Sequence, residues 1–88
     1  MIMTRPAPTS GSRLTVNAKI EGQITAELRT DDNKPIKGFT FADSQPITKS
    51  GFAAPVTWQA GEISQAPLPF VRIVFRLENA ELFTFDLK

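Results

Sequence analysis

Chemistry in this chain would have to come from nine Asp and Glu, ten Lys and Arg, its serines and threonines and one tryptophan, because histidine, cysteine and tyrosine are all absent. Losing histidine removes the commonest general base and the commonest metal ligand together. Losing cysteine removes any disulfide framework and any thiolate metal site. Serine and threonine hydroxyls without a His or Cys partner cannot be assembled into the usual nucleophile–base relay. Two carboxylates facing across a cleft could hydrolyse a glycosidic bond. With nine acids some pair is inevitable, however, and nearly all of them fall in turns or at solvent-facing strand positions. The five glycines are scattered through turns and build no phosphate loop. No catalytic residue, metal site or cofactor is assigned, and this chain alone is not expected to be an enzyme.

Binding is the remaining chemistry, and its candidates each have a plainer account. Trp58 is the one ligand-binding candidate, because an exposed indole stacks on a sugar ring. Its strand parity with Val56 points it inward instead, where a small domain gains most from burying so large a surface. Asp31, Asp32 and Asn33 offer oxygens to calcium, but the ordered ligand spacing with a distant Glu is missing, and an Asx-rich hairpin turn is the simpler account. Asp43 beside Ser44 reads as an Asx turn. Seven phenylalanines with basic neighbours could stack nucleic-acid bases. Parity places Phe75, Phe83 and Phe85 with the aliphatic core, and a net charge of +1 leaves no electrostatic footprint for nucleic acid or a membrane surface. The opening residues lack the apolar stretch of a signal peptide, and no run has membrane-spanning length. The sequence assigns no compartment.

The elements that must position these side chains are strands, since the dominant period is two. Leu14, Val16, Ala18 and Ile20 alternate with Arg13, Thr15, Asn17 and Lys19. After Gly22 the pattern resumes as Ile24, Ala26 and Leu28, and the run from Asp31 to Pro35 ends it with strong turn formers. Phe39 and Phe41, then Ala54, Val56 and Trp58, form further alternating sets. Pro67 and Pro69 forbid a helix across the stretch from Gly61, and two last strands cover Phe70 to Leu77 and Glu81 to Leu87. No segment holds a 3.6-residue period over ten residues. About seven short strands at spacings near ten residues predict an all-β domain, a small antiparallel β-sandwich of jelly-roll type spanning 1–88.

Register predicts two hairpins. One turns at Gly22, with Ile20 and Ile24 sharing a face. The other turns through an odd loop, Glu78-Asn79-Ala80, or an equivalent bulge, which sets Phe75 opposite Phe83, Leu77 opposite Glu81 and Arg72 opposite Asp86.

An ordered set of residues resembles a known module. Thr4-Arg5-Pro6, Gly11-Ser12-Arg13-Leu14 and Asn17 open it, and Glu27-Leu28, Asp31 to Lys34, Pro35-Ile36 and Gly38-Phe39 continue it. Val56-Thr57-Trp58, Val71-Arg72, Phe75, Asn79-Ala80, Leu82-Phe83 and Phe85 complete it. The pattern is similar to the C-terminal β-sandwich module that follows the β-propeller in uncharacterised bacterial proteins related to glycoside hydrolases and sialidase-like repeat proteins. The resemblance implies a non-catalytic accessory module, with the carboxylates of catalysis in the propeller and none of them here. Its implied partners are the neighbouring propeller and a glycan. The chain departs from the module in having Phe83 where a tyrosine is expected, and in starting where the module is already under way. A missing N-terminal strand would leave an unpaired sheet edge, which proteins cover, pair or blunt. The expected remedies are pairing with a second copy, or the chain being a fragment of a longer protein.

Overall fold

The structure is a computed structural model and describes residues 2–4, 6–9 and 13–87. Arg5, Gly11 and Ser12, three of the residues that carry the resemblance, lie outside them. Five antiparallel strands form the sheet: β1 (Ile2–Met3), β2 (Ala7–Pro8), β3 (Leu14–Arg29), β4 (Gly51–Pro55) and β5 (Phe70–Leu87). Their order is β1-β5-β3-β4, with β2 also on the β5 edge. A single 3₁₀ turn, Ile63–Gln65, is the only helical element among the described residues. The domain is all-β, as its period predicts.

The strand count differs from the seven expected because neither predicted hairpin turns. β3 and β5 each run straight through the position assigned to a turn, pairing from Leu14↔Leu87 to Arg29↔Arg72. At the midpoint Glu21 and Gly22 on β3 stand against Asn79 alone on β5, between the pairs Ile20↔Ala80 and Gln23↔Glu78. That is a bulge, which bends a strand and resets its parity. Phe75 therefore faces Ala26 rather than Phe83, and Leu77 faces Ile24. Arg72 lies opposite Arg29 and reaches Asp31, while Asp86 lies opposite Thr15.

The bend folds the ribbon onto itself. A straight strand of 18 residues would span roughly 60 Å at about 3.3 Å per residue, yet the longest dimension of the molecule is 32 Å. Phe75 and Phe85, ten positions apart on one strand, bring their ring centroids to 5.5 Å. Leu14, Val16, Ala18 and Ile20 from one half of the ribbon thus share a core with Ile24, Ala26, Leu28, Val71, Ile73 and Phe75 from the other. Ile36, Phe39, Val56, Trp58 and Ile63, from the chain outside the strands, close it.

The free edge of β3 is covered by the chain that follows it. Asn33 takes a left-handed φ of 68° in the turn after β3. The backbone then retraces the strand, through Ile36 N to Leu28 O, Leu28 N to Phe39 O, the reciprocal pair Ile24–Ile47, and finally β4. Where the returning backbone swings away, serine hydroxyls take its place. Ser44 Oγ accepts from Ala26 N at 3.1 Å, and Ser50 Oγ both accepts from Ile20 N and donates to Ile20 O. Phe39 and Phe41 therefore lie in turns rather than in a strand, and they part: Phe39 enters the core, whereas Phe41 lies beneath the Arg76 guanidinium.

The midpoint bulge rests on a missing side chain. A Cβ on residue 22 would run into the Glu78 carbonyl oxygen of the paired strand. Gly22→Ala is expected to lower stability by about 1–3 kcal/mol through this overlap, read as a fall in the urea midpoint. An unchanged midpoint would place the bend elsewhere.

Candidate functional site

Trp58 is core. It is 4% exposed, its ring is tilted against Phe39 with centroids 5.7 Å apart, and its Nε1 donates to Ala26 O at 2.8 Å. An indole held this way has no free face for a sugar, so the stacking role open in the sequence is not available to it. Its actual work is at Ala26, whose backbone N and O point toward a returning chain that has swung away. Ser44 takes the first and Trp58 the second.

The acid-rich turn is likewise engaged locally. Asp32 accepts the Thr30 hydroxyl and pairs with Lys34 at 3.6 Å, while Asp31 pairs with Arg72 at 3.4 Å. The Thr30 hydroxyl holds the Asp32 carboxyl below its ordinary value of 3.8. No cluster of three or more metal-holding side chains forms among the described residues. Asp43 accepts from both the backbone N and the hydroxyl of Thr40, three residues back, and so closes the turn 40–43. It does not form the Asx turn expected with Ser44, and Gln45 N donates to Thr57 O instead.

Two features of the surface were not marked by parity. The first is a polar cleft of about 680 Å³, where the loop 40–46 folds over the outer face of β3 and β5. Thr25 and Glu27, expected at solvent, are buried in its wall. Glu27 accepts from Arg29 Nε at 2.9 Å and from Phe41 N at 3.1 Å, and Arg76 lies 4.3 Å above the centre of the Phe41 ring. Thr25 Oγ1 is buried and has no hydrogen-bond partner among the described residues. Gln23, Gln45 and Gln59 complete the lining.

The second feature is a pair of exposed phenylalanines. Phe83 was expected inside with Phe75 but is 60% exposed, because it is the extra residue of a bulge between Asn17↔Thr84 and Ala18↔Leu82. Phe52, 89% exposed, stands in the matching bulge on the other side of β3, where Phe52 and Ala53 oppose Asn17 alone. Asn17 holds both bulges: its Oδ1 accepts from Ala53 N and its Nδ2 donates to Thr84 Oγ1, each at 2.7 Å. Ala53 sits at a φ of 54°, a left-handed conformation that a Cβ disfavours. Phe52 and Phe83 line one largely apolar depression of about 370 Å³ with Ala18, Lys19, Ser50 and Gly51. On the side of β5 away from β3, β1 and β2 pair only between Phe70 and Phe75, so the run beyond Phe75 has no strand partner there among the described residues.

Set against known proteins, the chain matches no family model, no curated protein and no solved structure. Functional reading therefore rests on this geometry.

Two measurements check the placements. Trp58→Phe strips the donor from a buried carbonyl and leaves a void, and is expected to cost about 2–4 kcal/mol. Intrinsic fluorescence of the single indole should be blue-shifted in the native state, and water-like emission would show it outside the core. For Asp32, a lowered native pKa means its contribution to stability is complete above the unfolded value and is lost as pH falls through the lower native one. Carboxyl NMR should find it titrating below 3.8 and returning toward that value in Thr30→Val. Indifference to the Thr30 change would remove the hydroxyl as the cause.

Proposed function

We propose that this chain is a non-catalytic accessory module that acts by docking, with Phe52, Phe83 and the free run of β5 as its docking face. The bent ribbon then serves as a compact β-sandwich whose layers are the two halves of one β3–β5 pair. The observation that carries the reading is the double bulge at Asn17, which sends two large rings out of one sheet face into a shared apolar depression. Bulges re-aim side chains, and paired exposed aromatics are what interfaces use as anchors. In the setting the sequence resembles, the occupant is a neighbouring domain of a carbohydrate-related protein.

A second copy is the other occupant, and the backbone of β5 beyond Phe75, without a strand partner on its outer side among the described residues, favours it. An open strand edge is a template for another strand, and a two-fold axis would pair β5 with itself.

The double variant Phe52→Ser/Phe83→Ser tests the docking face. Exposed rings contribute little to the fold, so its denaturation midpoint should stay within about 0.5 kcal/mol of the parent in free-energy terms. A large loss of stability would assign both rings to folding and overturn the reading. Sedimentation of the parent chain then separates the occupants: a dimer abolished by the double variant identifies a second copy, and a strict monomer excludes it.

A further inference from the structure

We propose that the free run of β5 accepts a basic, amphipathic strand, an extended segment that alternates Lys or Arg with apolar residues. The inference rests on the docking reading above and names the chemistry of the occupant. From Arg76 to Leu87 the outer edge of β5 has no strand partner among the described residues. Such an edge takes up a strand through backbone hydrogen bonds, and the side chains at alternate positions choose which strand. Asn79, at a left-handed φ of 53°, breaks the alternation, so the stretch to be paired is 80–87, bulged once at Phe83. Its two faces differ. Pairing with Ala18, Val16 and Leu14 sets Leu82, Phe85 and Leu87 on the core side, where Phe85 is still 37% exposed. Pairing with Lys19, Asn17 and Thr15 sets Glu81, Thr84 and Asp86 on the outer side, with the exposed Phe83 between the two acids.

Charge selects the occupant. The ion pairs among the described residues use Glu62, Glu27, Asp32 and Asp31, all of them away from this edge. Glu81 and Asp86 enter none, and Glu81 is not closed even on Lys19, which stands opposite it. Glu78, just before the stretch, takes only the Gln23 amide. The whole chain carries a formal charge of +1, so the excess of acid is local to the open edge. A second copy would bring the same carboxylates to the seam, and like charges across paired strands repel. A strand with Lys or Arg on one face neutralises them instead. Apolar residues on its other face cover Phe85 and extend the core. The same side chains thus reject one partner and attract another, which is how strand pairing becomes specific.

The test is an NMR titration of the ¹⁵N-labelled chain with a capped peptide of about seven residues that alternates lysine with valine. Its controls are a glutamate–valine peptide of the same length and a lysine–valine peptide with a central proline. The lysine–valine peptide should shift the amide signals of 80–87 in a saturable way and slow their exchange with solvent. Both controls should bind more weakly. Raising NaCl from about 20 to about 300 mM should weaken the binding several-fold, a readout that needs no variant. Glu81→Gln/Asp86→Asn removes two exposed, unpaired carboxylates, so it should melt like the parent and bind the peptide about fivefold more weakly. Silence of 80–87 overturns the proposal, as does binding indifferent to salt, to the sign of the peptide or to the proline. Slow exchange at 80–87 in a peptide-free dimer also overturns it, by giving the edge to a second copy. The docking reading fails separately: if Phe52→Ser/Phe83→Ser unfolds the chain, the ring face is lost, while a saturable response at 80–87 in the parent keeps the edge.

Discussion

The close approach of Gly22 to the Glu78 carbonyl governs the architecture, because it lets a two-stranded ribbon bend until its own apolar face meets itself. A flat pair of strands buries nothing and is marginal in water. A chain this short has little surplus to build a separate second layer. Bending solves both problems with the same residues. Asn79, on the facing strand, takes a left-handed φ of 53°, a conformation its short polar side chain tolerates better than most. Large side chains gain about 1.5–3 kcal/mol each by full burial, and Leu14, Ile24, Leu28, Ile73 and Phe75 obtain it only because the halves face one another.

A bent strand makes a poor template for a regular neighbour, and the path of 30–56 reflects this. It follows β3 with ladder bonds at Leu28, at Ile24 and along β4, and elsewhere substitutes the hydroxyls of Ser44 and Ser50 and the indole of Trp58. Each such substitution frees the returning backbone from the strand. Between Phe39 and Ile47 the freed segment is long enough to fold over the outer face, which buries Thr25 and Glu27 and creates the cleft. The cleft is thus a by-product of how the edge of β3 is satisfied, and its most buried acid, Glu27, is held by the very loop that covers it.

Period-two alternation made the strand segments legible, and with them the core faces of 14–20, 24–28 and 71–77. The Asp31–Lys34 turn was legible from its composition, and Trp58 as a core residue from its parity with Val56. The bulges were not legible. Two alternating runs separated by Gly22, or by Asn79, look alike in sequence whether the chain reverses there or bends and continues. The difference lies in which residues the other strand presents, 50 to 60 positions away. Phe83 was misplaced for the same reason, since parity carries a residue inward until an unseen extra residue turns it out, and Phe52 received no face at all. Thr25 and Glu27 kept their predicted face but not their exposure, because the covering loop is fixed by serine and tryptophan side chains with no periodic signature.

The exceptions to these rules have unequal costs, and that bears on what they are for. A left-handed Ala53 costs on the order of 1–2 kcal/mol, and two exposed phenylalanines forgo burial worth more than that. In a domain with total stability of about 5–15 kcal/mol, such terms are a sizeable fraction of the whole. Asn17 fixes both bulges at once through opposite ends of one amide, so each ring is turned outward beside a hydrogen bond to the same side chain. The orphan hydroxyl of Thr25 is a smaller, separate expense beyond the midpoint bend. The depression lined by Phe52 and Phe83 sits on β3 at Ala18 and Lys19, whereas the cleft is built on Gln23, Thr25 and Glu27 past Gly22. Each half of the ribbon therefore carries its own departure from regular structure, separated from the other by the bend at Gly22.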